Sequence, residues 1–162
     1  MSHIVSTEKL AEDIENTFPI VDMPRGSDIS FHKDGCFEYS WLAEELERYR
    51  GKEFTGDAIR LIHQELTCLS AKAWRWILPH YLKFCLTSEA AYNTMETEFL
   101  IYNLGPDLKY QKDTLQRLSE LNTAQIACLI HFLDWCSNHE YWSEYCPEEI
   151  KKAINFLCTI NA

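Results

Sequence analysis

Little in this chain breaks a helix. Glycine and proline number only 5 each among 162 residues. That is too few for a β-sandwich or barrel, which needs a turn every few residues. Positive charge is also scarce: 15 Lys and Arg stand against 25 Asp and Glu, a net charge of −10. Nucleic acid is therefore not an expected ligand, because a phosphate backbone is bound by neutralising it with Lys and Arg. No apolar run approaches a membrane span, so no membrane association is expected. The opening Met-Ser-His-Ile-Val-Ser-Thr-Glu has neither a basic n-region nor an apolar h-region. Motifs of catalysis are missing as well. There is no Gly-rich phosphate loop and no Gly-x-Ser-x-Gly elbow, and His63-Gln64-Glu65 and His139-Glu140 stand alone without the His-Glu-x-x-His spacing of a metalloprotease helix.

What is present suits a folded globule. Apolar residues make up 46% of the chain and aromatics 13%. A chain of this length buries roughly 70% of its extended surface, enough for a core without covalent staples. One helical domain over residues 1–162 is the expectation. The seven cysteines are odd in number and scattered; Cys68, Cys85, Cys128, Cys136, Cys146 and Cys158 sit in or beside apolar helical runs, where free cysteine acts as a small buried hydrophobe. Together these features predict unpaired thiols and a reducing, cytoplasmic setting. The acidity is uneven. Residues 1–70 hold 14 acids and 7 bases, residues 71–162 hold 11 and 8. A field of that kind speeds association with a basic partner; it also serves plain solubility.

Helical periodicity runs through most of the chain. Leu10, Ala11, Ile14, Thr17 and Phe18 form one face of a first helix, with Ser6 or Thr7 as its cap and Pro19 as its stop. Residues 19–37 are irregular, with Ile29 and Phe31 suited to a short strand. Helices are predicted from about Glu38 to Tyr49, ended by Gly51, and from about Asp57 to Leu66. Ser70 caps the next, in which Trp74, Ile77, Leu78, Tyr81, Leu82, Phe84 and Cys85 cover a wide apolar face. Lys72, Arg75, Pro79 and Lys83 share its polar side, with Trp76 near it, so Pro79 is expected to kink the helix without ending it. A single helix over Ser88–Leu104 follows, with Ala91, Met95, Phe99 and Tyr102 as its stripe. Residues 107–120 are weakly periodic. Asn122 or Thr123 caps a long apolar helix ending near Asn138, whose polar arc is His131, Asp134 and Asn138. Pro147 opens a last helix with Ile150, Ala153, Ile154, Leu157 and Cys158 buried and Glu148 facing Lys152. The fold class expected is all-α: an irregular bundle of about six to seven helices with at most one short β-hairpin near residues 28–38.

The run from Leu69-Ser70 through Trp76-x-Leu78-Pro79-His80-Tyr81-Leu82 resembles a helix that marks a family of small, functionally uncharacterised bacterial proteins. Gly51-Lys52-Glu53-Phe54 resembles the step ahead of that helix. Leu118-Ser119 through Gln125 to Phe132-Leu133 resembles a later helix of the same family. The resemblance covers about residues 36–136. It implies a cytosolic helical fold and carries over no catalytic residue.

Two constellations remain. Cys136-x-x-His139 has usable zinc spacing, with Cys146 downstream and Cys128 or His131 on the same helix, but no second paired unit follows. The expectation is therefore no metal and no cofactor, and the bland reading is buried thiols beside a surface histidine. Aromatics near polar positions are the second. Trp41 adjoins the acids Glu44, Glu45 and Glu47, and Trp142 and Tyr145 lie in a polar turn; such residues anchor protein interfaces or are simply half-buried. The resulting expectation is a non-enzymatic protein-binding module, an immunity protein or antitoxin-like inhibitor that meets a basic toxin domain. A scaffold or adaptor, or an unrecognised enzyme or metal protein, are the alternatives.

Overall fold

The computed structural model describes residues 6–31, 37–52, 54 and 56–161, with the backbone alone for residues 37–40. Among them are ten α-helices: α1 (Thr7–Thr17), α2 (Phe37–Glu47), α3 (Gly56–Ile62), α4 (Ala71–Cys85), α5 (Ser88–Asn93), α6 (Met95–Leu104), α7 (Gln111–Arg117), α8 (Thr123–Ser137), α9 (Trp142–Tyr145) and α10 (Pro147–Ile160). Three 3-10 turns, Gly26–Ile29, His63–Cys68 and Leu108–Tyr110, join them. The all-α expectation holds, but the count is ten where six to seven were expected. The surplus is α5, α7 and α9, of four to seven residues each, too short for an apolar period to show; α3 answers to the helix expected from about Asp57 to Leu66 but ends at Ile62.

No strand occurs among the described residues. Ser30 makes an isolated antiparallel bridge to Leu69, flanked by Phe31 N–H donating to the Cys68 carbonyl at 2.8 Å and Ser70 N–H donating to the Ile29 carbonyl at 2.9 Å. A distant pairing thus stands in place of a hairpin near residues 28–38; residues 32–36 of that span lie outside the described residues.

The caps follow the sequence. Ser6 Oγ accepts from Lys9 N–H at 3.1 Å and Ser70 Oγ from Ala73 N–H at 3.1 Å. Asn122 and Gln125 form a reciprocal capping box at the start of α8. α8 packs against α1 and α10, and α10 also against α6. α4 packs against α1, α3, α5, α7 and the Gly26–Ile29 turn, and ten of its fifteen residues are buried. Trp74 is 1% exposed, and its indole N–H donates to the Leu66 carbonyl at 2.9 Å. The Tyr81 hydroxyl donates to the Glu96 carbonyl at 2.6 Å, tying α4 to α6. Two expectations about α4 are overturned. Trp76 and Pro79, assigned near its polar side, are both buried. Neighbours on several sides leave α4 a narrower wet stripe than its own wheel suggests, and the Phe54 ring meets Trp76 edge-on at 5.1 Å.

The single helix expected over Ser88–Leu104 is in fact two. Thr94 sits at φ +64°, a left-handed conformation uncommon for a β-branched residue. Its N–H closes α5 on the Ala90 carbonyl at 2.8 Å, and its carbonyl opens α6 by accepting from Glu98 N–H at 3.1 Å. This break resets the helical phase. Glu96, Thr97, Leu100, Ile101 and Leu104 turn inward, while Met95 and Tyr102 are 44% and 43% exposed. Of the stripe expected as the apolar face, Ala91, Met95 and Tyr102 are exposed, while Phe99 is half-buried against the core with its ring 5.1 Å from His63. In α10, Pro147 occupies the first turn as expected, with Ile150, Ala153 and Leu157 buried. Phe156 is buried with them, whereas Ile154 is half-buried, Cys158 is exposed and Lys152 pairs with Asp107 rather than Glu148.

Candidate functional site

The acids of α2 are mostly spoken for. Trp41 is 42% exposed and Glu44 is exposed. Glu45, however, pairs with Arg48 at 3.3 Å. Glu47 takes two hydrogen bonds from Arg50, at 2.6 and 2.8 Å. Arg50 in turn donates to the Met23 and Pro24 carbonyls at 2.8 and 2.9 Å. The Arg50 hydrogen bond holds the Glu47 carboxyl below its ordinary range; desolvation opposes it, and the charges of Arg50 and Arg25 add to it. Glu47 thus fastens α2 to the irregular segment after α1, and two of the three acids meet a local cation.

α9 sorts its aromatics by helical position. Trp142 and Cys146, four apart, point inward and are each 1% exposed. Trp142 was expected as a partner contact; it fills the core and offers no surface. Tyr141 and Tyr145, also four apart, point outward at 38% and 51% exposure. Their rings stack at 5.1 Å and 18°. The Tyr145 hydroxyl donates to Glu98 Oε1 at 3.1 Å, which joins α9 to the outward face of α6. Partial burial and the adjacent Glu98 carboxylate, with Cys146 and Glu149 nearby, push the Tyr102 pKa up to about 12. Tyr145 is raised in the same direction, first by its bond to Glu98. His139, Glu140, Tyr141, Glu144 and Tyr145 line a groove of about 450 Å³ beside this cluster. Among the described residues no Lys or Arg lies within 4.0 Å of Glu98, Glu140 or Glu144. The sequence singles out Tyr145 for partner contact but not Tyr102 or Glu98, because the break at Thr94 gives no composition signal.

The residues weighed for metal binding diverge. Cys136 and Cys146 are buried, and burial, with Cys85 and Cys146 nearby, raises the Cys136 thiol well above its ordinary value. Burial lifts Cys85 to about 12 and Cys146 and Cys128 to about 11. His139 instead lies at the surface edge: its ring meets Trp135 at 5.1 Å and its Nδ1 accepts from Tyr141 N–H at 3.1 Å. His131 is exposed. No group of three or more His, Cys, Asp or Glu side chains with metal-binding geometry occurs among the described residues.

A second concavity, of about 770 Å³, opens between α6, α7 and α10. Arg117 lines it and is only 7% exposed. Its Nε–H donates to the Thr67 carbonyl at 3.1 Å, and its guanidinium carbon stands 4.5 Å from the centroid of the Phe31 ring. Burial draws its pKa below the usual guanidinium value, with Asp113 and Cys68 opposing.

An all-α protein with a tyrosine and carboxylate face, and no helix among the described residues long and apolar enough to cross a membrane, is the class these features define. The chain belongs to the Family of unknown function (DUF6714), whose model matches residues 38–156. That agrees with the resemblance to an uncharacterised family. The match runs from α2 into α10 and leaves out α1, although Leu10 and Ile14 of α1 are fully buried. No curated protein and no solved structure matches.

Proposed function

We propose that this chain is a non-enzymatic protein-binding module that captures a basic partner, in the manner of an immunity protein or antitoxin-like inhibitor of a bacterial toxin. The observation that carries this reading is the exposed cluster of Tyr102, Tyr141 and Tyr145 around Glu98, with Glu140 and Glu144 beside it. Tyrosines bury large rigid area at low entropic cost and are enriched in interface hot spots. Carboxylates without a local cation keep their charge for an incoming Lys or Arg, which raises association rates and selects the partner. The toxin-inhibitor class is an analogy from small size, acidity and the absence of reaction motifs, and no residue carries it.

The test is co-expression with the polypeptide encoded beside this gene. Growth rescue and a stable complex are expected with the natural chain, and loss of both with E98K/E144K. No complex with the natural chain, or full rescue by E98K/E144K, contradicts the proposal.

A further inference from the structure

Arg117 is the most heavily buried cation in the described structure that meets no carboxylate. Its Nε–H is satisfied by Thr67 and one face of the guanidinium by Phe31. Neither Nη makes a hydrogen bond or ion pair with any described residue. A guanidinium is always charged and carries five donors in a rigid fork. Neither Nη is sealed from solvent; in a side chain otherwise buried, these donors gain from an anion that meets them. Arg117 lies in the wall of a cleft that is large enough for a small organic molecule.

The remaining lining narrows the anion. Tyr102 and Tyr110 supply aromatic walls, and Asp113 and Glu149 line the same space. Lys152, also in the lining, is engaged by Asp107. A dianion such as phosphate would meet Asp113 and Glu149 as like charges. A single carboxylate matches the two free Nη groups as a parallel fork. An ammonium on the same molecule would find Asp113 and Glu149 as partners. We infer that this cleft is a binding site for an α-amino carboxylate with an aromatic or apolar side chain, its carboxylate held by Arg117. The ammonium that Asp113 and Glu149 call for makes the ligand a free amino acid, since the last residue of a polypeptide carries an uncharged amide at that nitrogen. The cleft is independent of the proposed toxin-inhibitor surface; the two share only Tyr102.

The experiment uses the whole chain and heteronuclear NMR titration with five probes: phenylalanine, N-acetylphenylalanine, phenylalaninamide, inorganic phosphate and a tripeptide ending in phenylalanine. Phenylalanine is expected to shift the Arg117 Nε–H and the amides around Asp113, with millimolar or tighter affinity, and phenylalaninamide to bind at least about tenfold more weakly. The tripeptide, with no ammonium beside its carboxylate, is expected to bind more weakly than phenylalanine; tighter binding of the tripeptide would overturn the free amino acid as ligand. Arg117→Gln should abolish the response. Because Arg117 also braces the Thr67 turn, Asp113→Asn serves as the second variant: it should retain N-acetylphenylalanine binding and lose the preference for the free amine. Equal affinity for phenylalanine and its amide, phosphate binding as tightly as phenylalanine, or no probe binding at about 10 mM would overturn the inference.

Discussion

The α2 surface and the α6–α9 surface are both acidic and both carry exposed aromatic rings, yet they spend their charge differently. On α2, Glu45 and Glu47 meet Arg48 and Arg50 within one helical turn. The ion pairs are local, and the Arg50 pair goes on to hold two backbone carbonyls of the preceding segment. On α6 and α9, Glu98 is met by the Tyr145 hydroxyl instead. A phenol donates a hydrogen bond without cancelling the carboxylate charge. An acid count taken from sequence therefore favours α2, while the charge left over for a partner favours α6–α9. Acidic side chains report a binding field only once their local cations are known.

The comparison can be broken first at α9, by separating its inner and outer aromatics. Trp142→Ala should cost about 3–5 kcal/mol in chemical denaturation, as large-to-small changes in a core do. A loss below about 1 kcal/mol would put Trp142 outside the core.

The layer of thiols beneath that surface gives the next test. Cys85 and Cys146 ionise in the folded state near 12 and 11 against an ordinary 9.0. Above the ordinary value the unfolded chain releases these protons and the folded chain keeps them, so stability falls as pH rises from about 9 toward 12. Every tenfold difference in proton affinity between the folded and unfolded thiol is worth about 1.4 kcal/mol. Denaturation midpoints measured from pH 7 to 11 should fall steadily above 9; a flat profile would contradict buried, protonated thiols. Among the described thiols, exposed Cys158 should alkylate fastest in the native protein, and no thiol should need reduction before it titrates in denaturant.

Smaller effects belong to α2. Arg50→Ala removes the donors to Met23 and Pro24 and should cost about 1.5–3 kcal/mol, the range for hydrogen bonds made by charged groups. Glu44→Lys, at an acid with no such role, should leave the melting temperature nearly unchanged. If the two variants melt alike, Glu47 and Arg50 do not form the brace described above. Least of all, Tyr145→Ser should move the melting temperature only slightly, because the ring is exposed, stacks on Tyr141, meets Trp142 edge-on at 6.2 Å and gives one exposed hydrogen bond to Glu98. Its effect should appear in partner binding alone.

Much of the fold is legible in the sequence because local chemistry decides it. Ser6, Ser70 and Asn122 announce helix starts by side chains that satisfy orphan N–H groups, and Trp74, Leu78, Tyr81 and Leu82 announce a buried face by their period. The long apolar helix α8 follows from the same rule. What stays hidden depends on tertiary context. Nothing in Ala91-Tyr92-Asn93-Thr94-Met95 marks Thr94 as left-handed, so the exposed Met95 and Tyr102 of α6 read as part of its apolar stripe. Trp76 and Pro79 are buried by elements distant in sequence. Of the candidate contact residues, Trp41, Glu44 and Tyr145 stand at the surface, Trp142 does not, and Glu47 is bound into the fold. Arg117 is unreadable as a site residue because its isolation from carboxylates is a property of three-dimensional packing.

The central claim is that the α6–α9 face holds the charge available to a partner. Its most direct test is the association rate of two charge-reversed chains, E98K/E144K and E44K, with the same basic partner at low and at physiological salt. Exposed charges act over about 10 Å at 0.1 M salt, so the difference should be greatest at low salt. The account predicts that E98K/E144K slows association by about tenfold or more at low salt while E44K stays within about twofold of the natural chain. Slowing by E44K with E98K/E144K unaffected would contradict it and return the binding surface to α2.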